Sequence, residues 1–172
     1  KEELPQRQRV RLAFFANEIA EAAIPEKLAI GWIDRVPDDL EVDADPDQLF
    51  RVLLNLVRNA TQALGERAGG EIRLTARRCK DHVHIYLSDN GPGLPEKARE
   101  HLFEPFSGSA RAGGSGLGLA IADELVRAHG GHIDGEHVKA VIEVGPEAAV
   151  GHHGLQVADE ALTVKESPGK GR

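Results

Sequence analysis

Three stretches of the chain carry apolar residues at every third or fourth position, which is the spacing of an amphipathic helix. They cover residues 9–22, 45–70 and 116–131. Asp45 and Pro46 are typical of an N-cap and a first helical position, and Gly69-Gly70 would end the second helix. Gly130 would end the third helix. We therefore predict three helices, of which the second has the most complete local signals.

Four short segments alternate apolar and polar residues and are bounded by turn residues, as strands are. They cover residues 28–37, 40–45, 71–78 and 82–90. The order is helix, two strands, helix, two strands, glycine-rich loop, helix and tail, which is not the strict alternation of a doubly wound fold. It predicts an α/β (α+β) two-layer sandwich with a mixed, mostly antiparallel sheet and helices on one face. We expect one domain over residues 1–172.

Composition narrows the classes of function. The 172 residues carry a net charge of -7, which argues against binding of nucleic acid or anionic lipid, because both need a basic surface. The single cysteine, Cys79, cannot form an internal disulfide, and no apolar run of about 18 residues could cross a bilayer. We expect a cytoplasmic fragment without membrane contact, and the start at Lys1 without any methionine suggests a piece of a longer chain.

The second predicted helix presents a polar stripe beside its apolar face. Asn55, Asn59 and Gln62 lie at i, i+4 and i+7, with Arg51 and Arg58 beside them. Asn59 lies at the margin between the stripe and the core, where its oxygen could point into a cleft at the edge of the sheet. A solvated helix face would show the same pattern.

Asp89 closes the last predicted strand and is followed by the turn Gly91-Pro92-Gly93, which lets backbone approach a flat ligand closely. A carboxylate in this place could accept a hydrogen bond from an exocyclic amine such as adenine N6. The sequence Asp-Asn-Gly is also typical of an Asx turn, in which the aspartate only caps its own backbone.

A glycine cluster, Gly114-Ser115-Gly116-Leu117-Gly118, stands at the start of the third helix. Unpaired backbone N–H groups and the positive end of the helix dipole favour phosphate at such a position. The cluster is not a P-loop, because no lysine followed by serine or threonine comes after it, and it is not the dinucleotide fingerprint, because no strand precedes it.

Four motifs follow one another along the chain, namely NLVRNA, DNGPG, LFEPF and GSGLGL. In this order and spacing, over residues 10–133, the chain resembles the ATP-binding catalytic domain of bacterial sensor histidine kinases. That family belongs to the superfamily of gyrase, heat-shock chaperone, histidine kinase and mismatch-repair ATPases. The resemblance implies a Bergerat-type ATP-binding fold, ATP and Mg²⁺ as cofactors, and transfer of the γ-phosphate to a histidine.

The resemblance also implies roles for single residues. Asn59 would bind Mg²⁺, with Asn55 beside it in the catalytic centre, and Asp89 would bind adenine N6. The remaining contacts that it implies are Gly91 and Gly93 at the purine, Phe103 and Phe106 at the start of a lid over residues 107–113, and Gly114, Ser115, Gly116, Leu117 and Gly118 around the triphosphate.

Two positions depart from patterns found in the superfamily. Many kinases of this class have a basic residue where this chain has Gln62. Neutralisation of the phosphate charge would therefore fall to Arg58, Arg111 or Mg²⁺. Hydrolytic members have a glutamate where this chain has Asn55, and an amide cannot take a proton at neutral pH. We therefore predict a protein-histidine kinase domain that presents ATP to another nucleophile rather than hydrolysing it.

The expected partners follow from the same resemblance. None of the eight histidines has the context of a phosphoacceptor, so the acceptor would be the kinase's own phosphoacceptor and dimerisation domain outside these residues. A response regulator would act downstream, and the isolated domain would be a monomer. Two alternatives stay open: a nucleotide-binding docking module without catalytic activity, and a hydrolytic or serine-directed member of the superfamily.

The tail fits the family pattern least well. A strand and a glycine-rich turn usually follow the HGG sequence, and the closest match in this chain is LTVKESPGKG at residues 162–171. This alignment leaves residues 134–161 as an atypical insertion or tail.

Overall fold

The computed structural model describes residues 3–93, 96–106, 116–137 and 139–144, with side chains as far as residue 134. The helices are α1 (Ala13–Ala23), α2 (Pro46–Leu64), α3 (Glu96–Glu100) and α4 (Gly118–Ala128). The strands are β1 (Gln8–Arg11), β2 (Gly31–Arg35), β3 (Glu41–Ala44), β4 (Glu71–Cys79), β5 (His82–Asp89), β6 (Ile133–His137) and β7 (Lys139–Val144).

A five-stranded sheet in the order β2-β4-β5-β7-β6 forms one layer of the fold. The β2–β4 pair is parallel and the other three pairs are antiparallel. Alternate residues of the two central strands are buried in the core: Ile72, Leu74, Val83, Ile85 and Leu87. Helix α2 packs on β4 and β5 and also contacts α1 and α4. The predicted fold class is therefore confirmed.

Helix α2 begins as its sequence predicts. The Asp45 side chain accepts hydrogen bonds from the N–H groups of Asp47 and Gln48, each at 3.1 Å, and Pro46 occupies the first helical position. The helix ends earlier than predicted, at Leu64, because Gly65 takes a positive φ of 54°. The predicted stop at residues 69–70 is instead the turn that leads into β4.

The first predicted helix was placed too early. Residues 8–11 form β1, which pairs antiparallel with β3 so that Val10 lies opposite Val42. Val10 and Leu12 alternate with two arginines, which is a period of two and not the helical period. An ion pair between Arg9 and Glu41, at 3.8 Å, also links the two strands.

Residues 134–161 are predicted to be an atypical insertion or tail, and the first part of this segment forms strands. β6 and β7 follow the HGG sequence directly and complete the sheet, with Ile85 of β5 opposite Ile142 of β7. Residues 162–171, for which the sequence predicts the family strand, lie outside the described residues together with residues 145–161. The segment was missed because β6 is short, polar and irregularly paired, so its strand character depends on a neighbour and not on its own sequence.

Helices α2 and α4 run antiparallel beside each other. At one end, the Asp45 N–H donates to His129 Nε2 at 3.0 Å, and His129 Nδ1 lies 2.7 Å from the Leu125 carbonyl oxygen. Since a carbonyl can only accept, Nδ1 carries the proton and the ring is the neutral tautomer. His129 is only 3% exposed, so it ties the C-terminal end of α4 to the N-terminal end of α2.

Acid is expected to remove the stabilisation that Asp45 gives to α2. Burial raises the pKa of Asp45, but hydrogen bonds from the backbone N–H groups of Gln48, Gln6 and Asp47 outweigh it and hold the pKa below its ordinary value. A group with a lowered folded pKa stabilises above its unfolded pKa and loses that contribution as pH falls through the folded value.

Urea unfolding of the wild type and of Asp45→Asn, between about pH 6 and about pH 3, measures this contribution. Asparagine also caps helices but does not titrate. The stability advantage of the wild type should therefore shrink towards low pH, and an advantage that is constant over the range would contradict the assignment.

In the part of the chain that the structure describes, no helix is both long enough and apolar enough to span a membrane.

Candidate functional site

The polar stripe of α2 meets the start of α4. Asn55 is half-buried, and a Cβ atom at Gly118 would lie 3.7 Å from Asn55 Oδ1. The first residue of α4 therefore lies against the middle of α2. Because α4 runs back from this point towards the N-terminus of α2, it leaves the C-terminal half of α2 uncovered, and Asn59 is exposed there.

The end of β5 meets the C-terminal end of the same helix. Asp89 is half-buried, and its Oδ1 accepts a hydrogen bond from the Gly91 N–H at 2.8 Å. A Cβ atom at Gly91 would lie 2.7 Å from Asp89 Oδ1 and 3.5 Å from Leu64 Cδ2. The Asx turn considered from the sequence is therefore present. It does not exhaust Asp89 as an acceptor, because a carboxylate has about four lone-pair sites.

These contacts place the predicted groups along one helix. Asn55 and Leu64 are nine residues apart, or about 13 Å along α2, a distance that a nucleoside triphosphate can span. Asn59 lies between them, one turn beyond Asn55. We call the region beside the middle and C-terminal end of α2, with Asn55, Asn59, Asp89, Gly91 and Gly118, the α2 cleft.

The start of α4 is suited to an anion. Leu117 is the N-cap residue and offers no side-chain hydrogen bond to the helix end. The start of this eleven-residue helix, with the positive end of its dipole, therefore lies beside Asn55 without a side-chain cap.

A backbone clamp joins the two ends of the segment that precedes α4. The Phe106 N–H donates to the Gly116 carbonyl oxygen at 3.1 Å, and a Cβ atom at Gly116 would lie 3.0 Å from Phe106 Cα. Both residues have a positive φ, 66° at Phe106 and 68° at Gly116. Phe103 packs against the core, whereas Phe106 is 66% exposed.

The other predicted site residues have the following positions. Arg58 and Gln62 are exposed on the polar stripe of α2, and Gly93 has a positive φ of 74°. Gly114 and Ser115 lie outside the described residues, as do Arg111 and the predicted lid at residues 107–113.

Sequence reasoning did not single out Asn90, the residue after Asp89, whose side chain makes two hydrogen bonds. Its place between Asp89 and a glycine was the only local sign.

The donor set fits a magnesium ion shared with phosphates better than a metal held by protein alone. Among the described residues, no group of three or more histidine, cysteine, aspartate or glutamate side chains could hold a metal. Asn59 is exposed and presents an amide oxygen, a hard ligand of the kind Mg²⁺ accepts when it keeps waters and phosphate oxygens.

Residues 44–171 match the family described as histidine kinase-, DNA gyrase B- and HSP90-like ATPase. The chain belongs to this family. The resemblance to histidine kinase catalytic domains that was drawn from the four motifs is confirmed, and the family implies that the chain binds ATP.

The relatives are sensor kinases. The chain is 45% identical over 111 residues to the sensory histidine kinase/phosphatase NtrB of Klebsiella oxytoca. The aligned region covers 59% of this chain and 31% of that protein. It is 37% identical over 126 residues to NtrB of Rhizobium meliloti, which covers 64% of this chain and 33% of that protein. The chain thus spans about a third of the length of these relatives.

Solved structures show the same architecture. The catalytic domain of histidine kinase ThkA, in a nucleotide-free form, superposes with a TM-score of 0.71 at 30% identity, covering 81% of this chain and 95% of that chain. ThkA in complex with the response regulator protein TrrA superposes with a TM-score of 0.68 at 28% identity, covering 84% of this chain and 43% of that chain.

Proposed function

We propose that the α2 cleft binds MgATP and presents its γ-phosphate to a histidine of a separate phosphoacceptor domain, in two-component signalling. One observation carries the proposal: Asn55 of α2 lies beside Gly118 at the start of α4, and Leu64 of the same helix lies beside Gly91. These contacts support an adenine subsite and a phosphate subsite at a fixed spacing along α2.

Adenine recognition falls to Asp89. The Gly91 N–H holds Oδ1 of this carboxylate at 2.8 Å, which fixes the orientation of the group. The adenine 6-amino group donates a hydrogen bond, whereas guanine carries a carbonyl acceptor at that position. A carboxylate can only accept, so it discriminates in favour of adenine.

Phosphate binding combines backbone and side-chain groups. The N–H groups at the start of α4 would contact the phosphates, and Asn59 would hold Mg²⁺ together with phosphate oxygens and waters. The ion supplies neutralisation of the phosphate charge. Arg58, exposed on the same stripe, would add to it.

Asn55 favours phosphoryl transfer over hydrolysis. In the transfer, a lone pair of an incoming neutral imidazole attacks the γ-phosphorus while the bond to the bridging oxygen breaks and ADP leaves. Such a nucleophile needs no base to create its lone pair, so positioning and charge neutralisation suffice. Water would need a general base, and the amide of Asn55 cannot take up a proton at neutral pH.

Calorimetric titration with Mg-ADP tests the proposal. The wild type is expected to bind in the micromolar range, and Asp89→Asn is expected to bind more weakly by about 1 to 3 kcal/mol, because a hydrogen bond to a charged acceptor is lost. Equal affinities would remove the adenine assignment. A wild type that neither binds nucleotide nor gains thermal stability from it would favour a docking module without an ATP site.

A second measurement distinguishes transfer from hydrolysis. The isolated domain should turn ATP over slowly, since it lacks the base that water requires. Robust hydrolysis without any partner would favour a hydrolytic member of the superfamily instead.

A further inference from the structure

Asn90 makes more hydrogen bonds than its exposure suggests. Its backbone N–H donates to the Glu71 carbonyl oxygen at 3.2 Å. Its side-chain Oδ1 accepts from the Glu71 N–H at 2.8 Å, and its Nδ2 donates to the Gly69 carbonyl oxygen at 2.9 Å. Three bonds therefore join this residue to the turn that precedes β4.

The two side-chain bonds require an amide. The reverse orientation would place the NH₂ group against the Glu71 N–H and the oxygen against the Gly69 carbonyl, so the network determines which way the group points. Aspartate could still accept from Glu71 but would set a negative charge against the Gly69 carbonyl oxygen. No other uncharged side chain of this length offers both a donor and an acceptor in one plane.

The three hydrogen bonds of Asn90, which we call the Asn90 clamp, lie where the pairing of β4 with β5 stops. Asp89 is paired with Ile72 in the final position of the β4–β5 ladder. Beyond this pair, the bonds of Asn90 replace the ladder, while on the other side the Gly31 N–H of β2 donates to the Gly70 carbonyl oxygen at 2.8 Å. The turn is thus held from both β2 and β5.

Asp89 lies between two restraints as a result. Asn90 follows it directly in the chain and fixes the backbone, and Gly91 holds its Oδ1. A hydrogen bond weakens steeply when its angle degrades. The direction of the Asp89 carboxylate therefore depends on the Asn90 clamp.

We propose that Asn90 is a positioning residue for adenine selectivity. It sets the Asp89 carboxylate at the angle that a 6-amino group requires, and so raises affinity for adenine nucleotides over purine nucleotides that lack that group. This inference rests on the proposed function of the α2 cleft.

The test compares ADP with inosine diphosphate, which has an oxygen in place of the 6-amino group. Affinities of the Mg²⁺ complexes are measured for the wild type, Asn90→Asp and Asn90→Ala. The ratio of ADP to inosine diphosphate affinity is expected to fall by roughly three- to tenfold in both variants, the worth of one misaligned hydrogen bond. A purely structural role would change both affinities together and leave the ratio constant.

Asn17→Asp provides the matched control, because it makes the same change in charge on the exposed surface of α1. Its ratio should equal that of the wild type. Thermal melting checks that each variant is folded at the temperature of the titration. Asn90→Ala introduces no charge, so it keeps the test valid if the aspartate variant unfolds.

Two failures can be told apart. If the wild type prefers ADP and both Asn90 variants keep that preference, the positioning role is wrong and the proposed function stands. If the wild type binds neither nucleotide, or binds both equally, the adenine site itself is wrong and the role of Asn90 falls with it.

Discussion

Replacing Gly91 with alanine is expected to lower the affinity for Mg-ADP by about ten- to a hundredfold while the domain stays folded. The added Cβ atom would lie 2.7 Å from Asp89 Oδ1, a distance that non-bonded carbon and oxygen atoms do not tolerate. Gly91 does not have a positive φ, so the backbone itself accepts alanine. The carboxylate would have to move, and the proposed bond to adenine N6 would be lost with it.

Gly31→Ala is the matched control for this substitution. Gly31 lies in β2 at the same end of the sheet, and a Cβ atom there would meet the Gly70 carbonyl oxygen at 3.7 Å, an ordinary contact. Titration calorimetry with Mg-ADP should show wild-type affinity for Gly31→Ala. Wild-type affinity in Gly91→Ala would mean that the Asp89 carboxylate does not contact the base.

Gly116→Ala is expected to weaken binding of Mg-ATP by about thirtyfold or more, or about 2 kcal/mol upwards. Two costs combine at this position. A φ of 68° costs an L-residue roughly 1 to 2 kcal/mol, and the new Cβ atom would lie 3.0 Å from Phe106 Cα. The Phe106–Gly116 clamp would open. The course of the chain into the start of α4, where we propose that phosphate binds, would then change.

Gly130→Ala separates the two costs. Gly130 also has a positive φ, 73°, but a Cβ atom there would meet nothing within 4 Å. It should lose stability by about 1 kcal/mol from the backbone conformation alone and keep its affinity for Mg-ATP. If Gly116→Ala binds Mg-ATP no more weakly than Gly130→Ala, the clamp has no part in phosphate binding.

How much of the fold could be predicted depended on how local each signal was. Helix α2 could be predicted from its own residues, which provide an aspartate cap, a proline in the first turn and an apolar face. β1 and β6 did not, because a short strand is stabilised by the partner that it pairs with. β1 needed β3 and β6 needed β7, and neither pairing can be read from the segment itself.

The candidate site shows the same division. The motifs of α2, of the turn after β5 and of the α4 start all came from residue types and order. Sequence reasoning could not choose between an Asx turn and a ligand at Asp89, and the structure shows that the Asx bond is made. This bond by itself does not exclude a ligand, because a carboxylate has about four lone-pair sites. Asn90 went unnoticed because its two side-chain partners, Gly69 and Glu71, are about twenty residues away.

The amino-acid sequence alone determined which functional groups are available for binding. They are two amides one turn apart on α2, a carboxylate at a strand end, and glycines at a helix start. Local rules suffice for this, since helix period, capping and turn preference act within a few residues. Only the tertiary structure brought the start of α4 and the turn after β5 against the same helix. Gly118 reaches Asn55, and Gly91 reaches Leu64, through packing of α4 and β5 on α2, and that packing depends on the apolar faces of elements far apart in the chain.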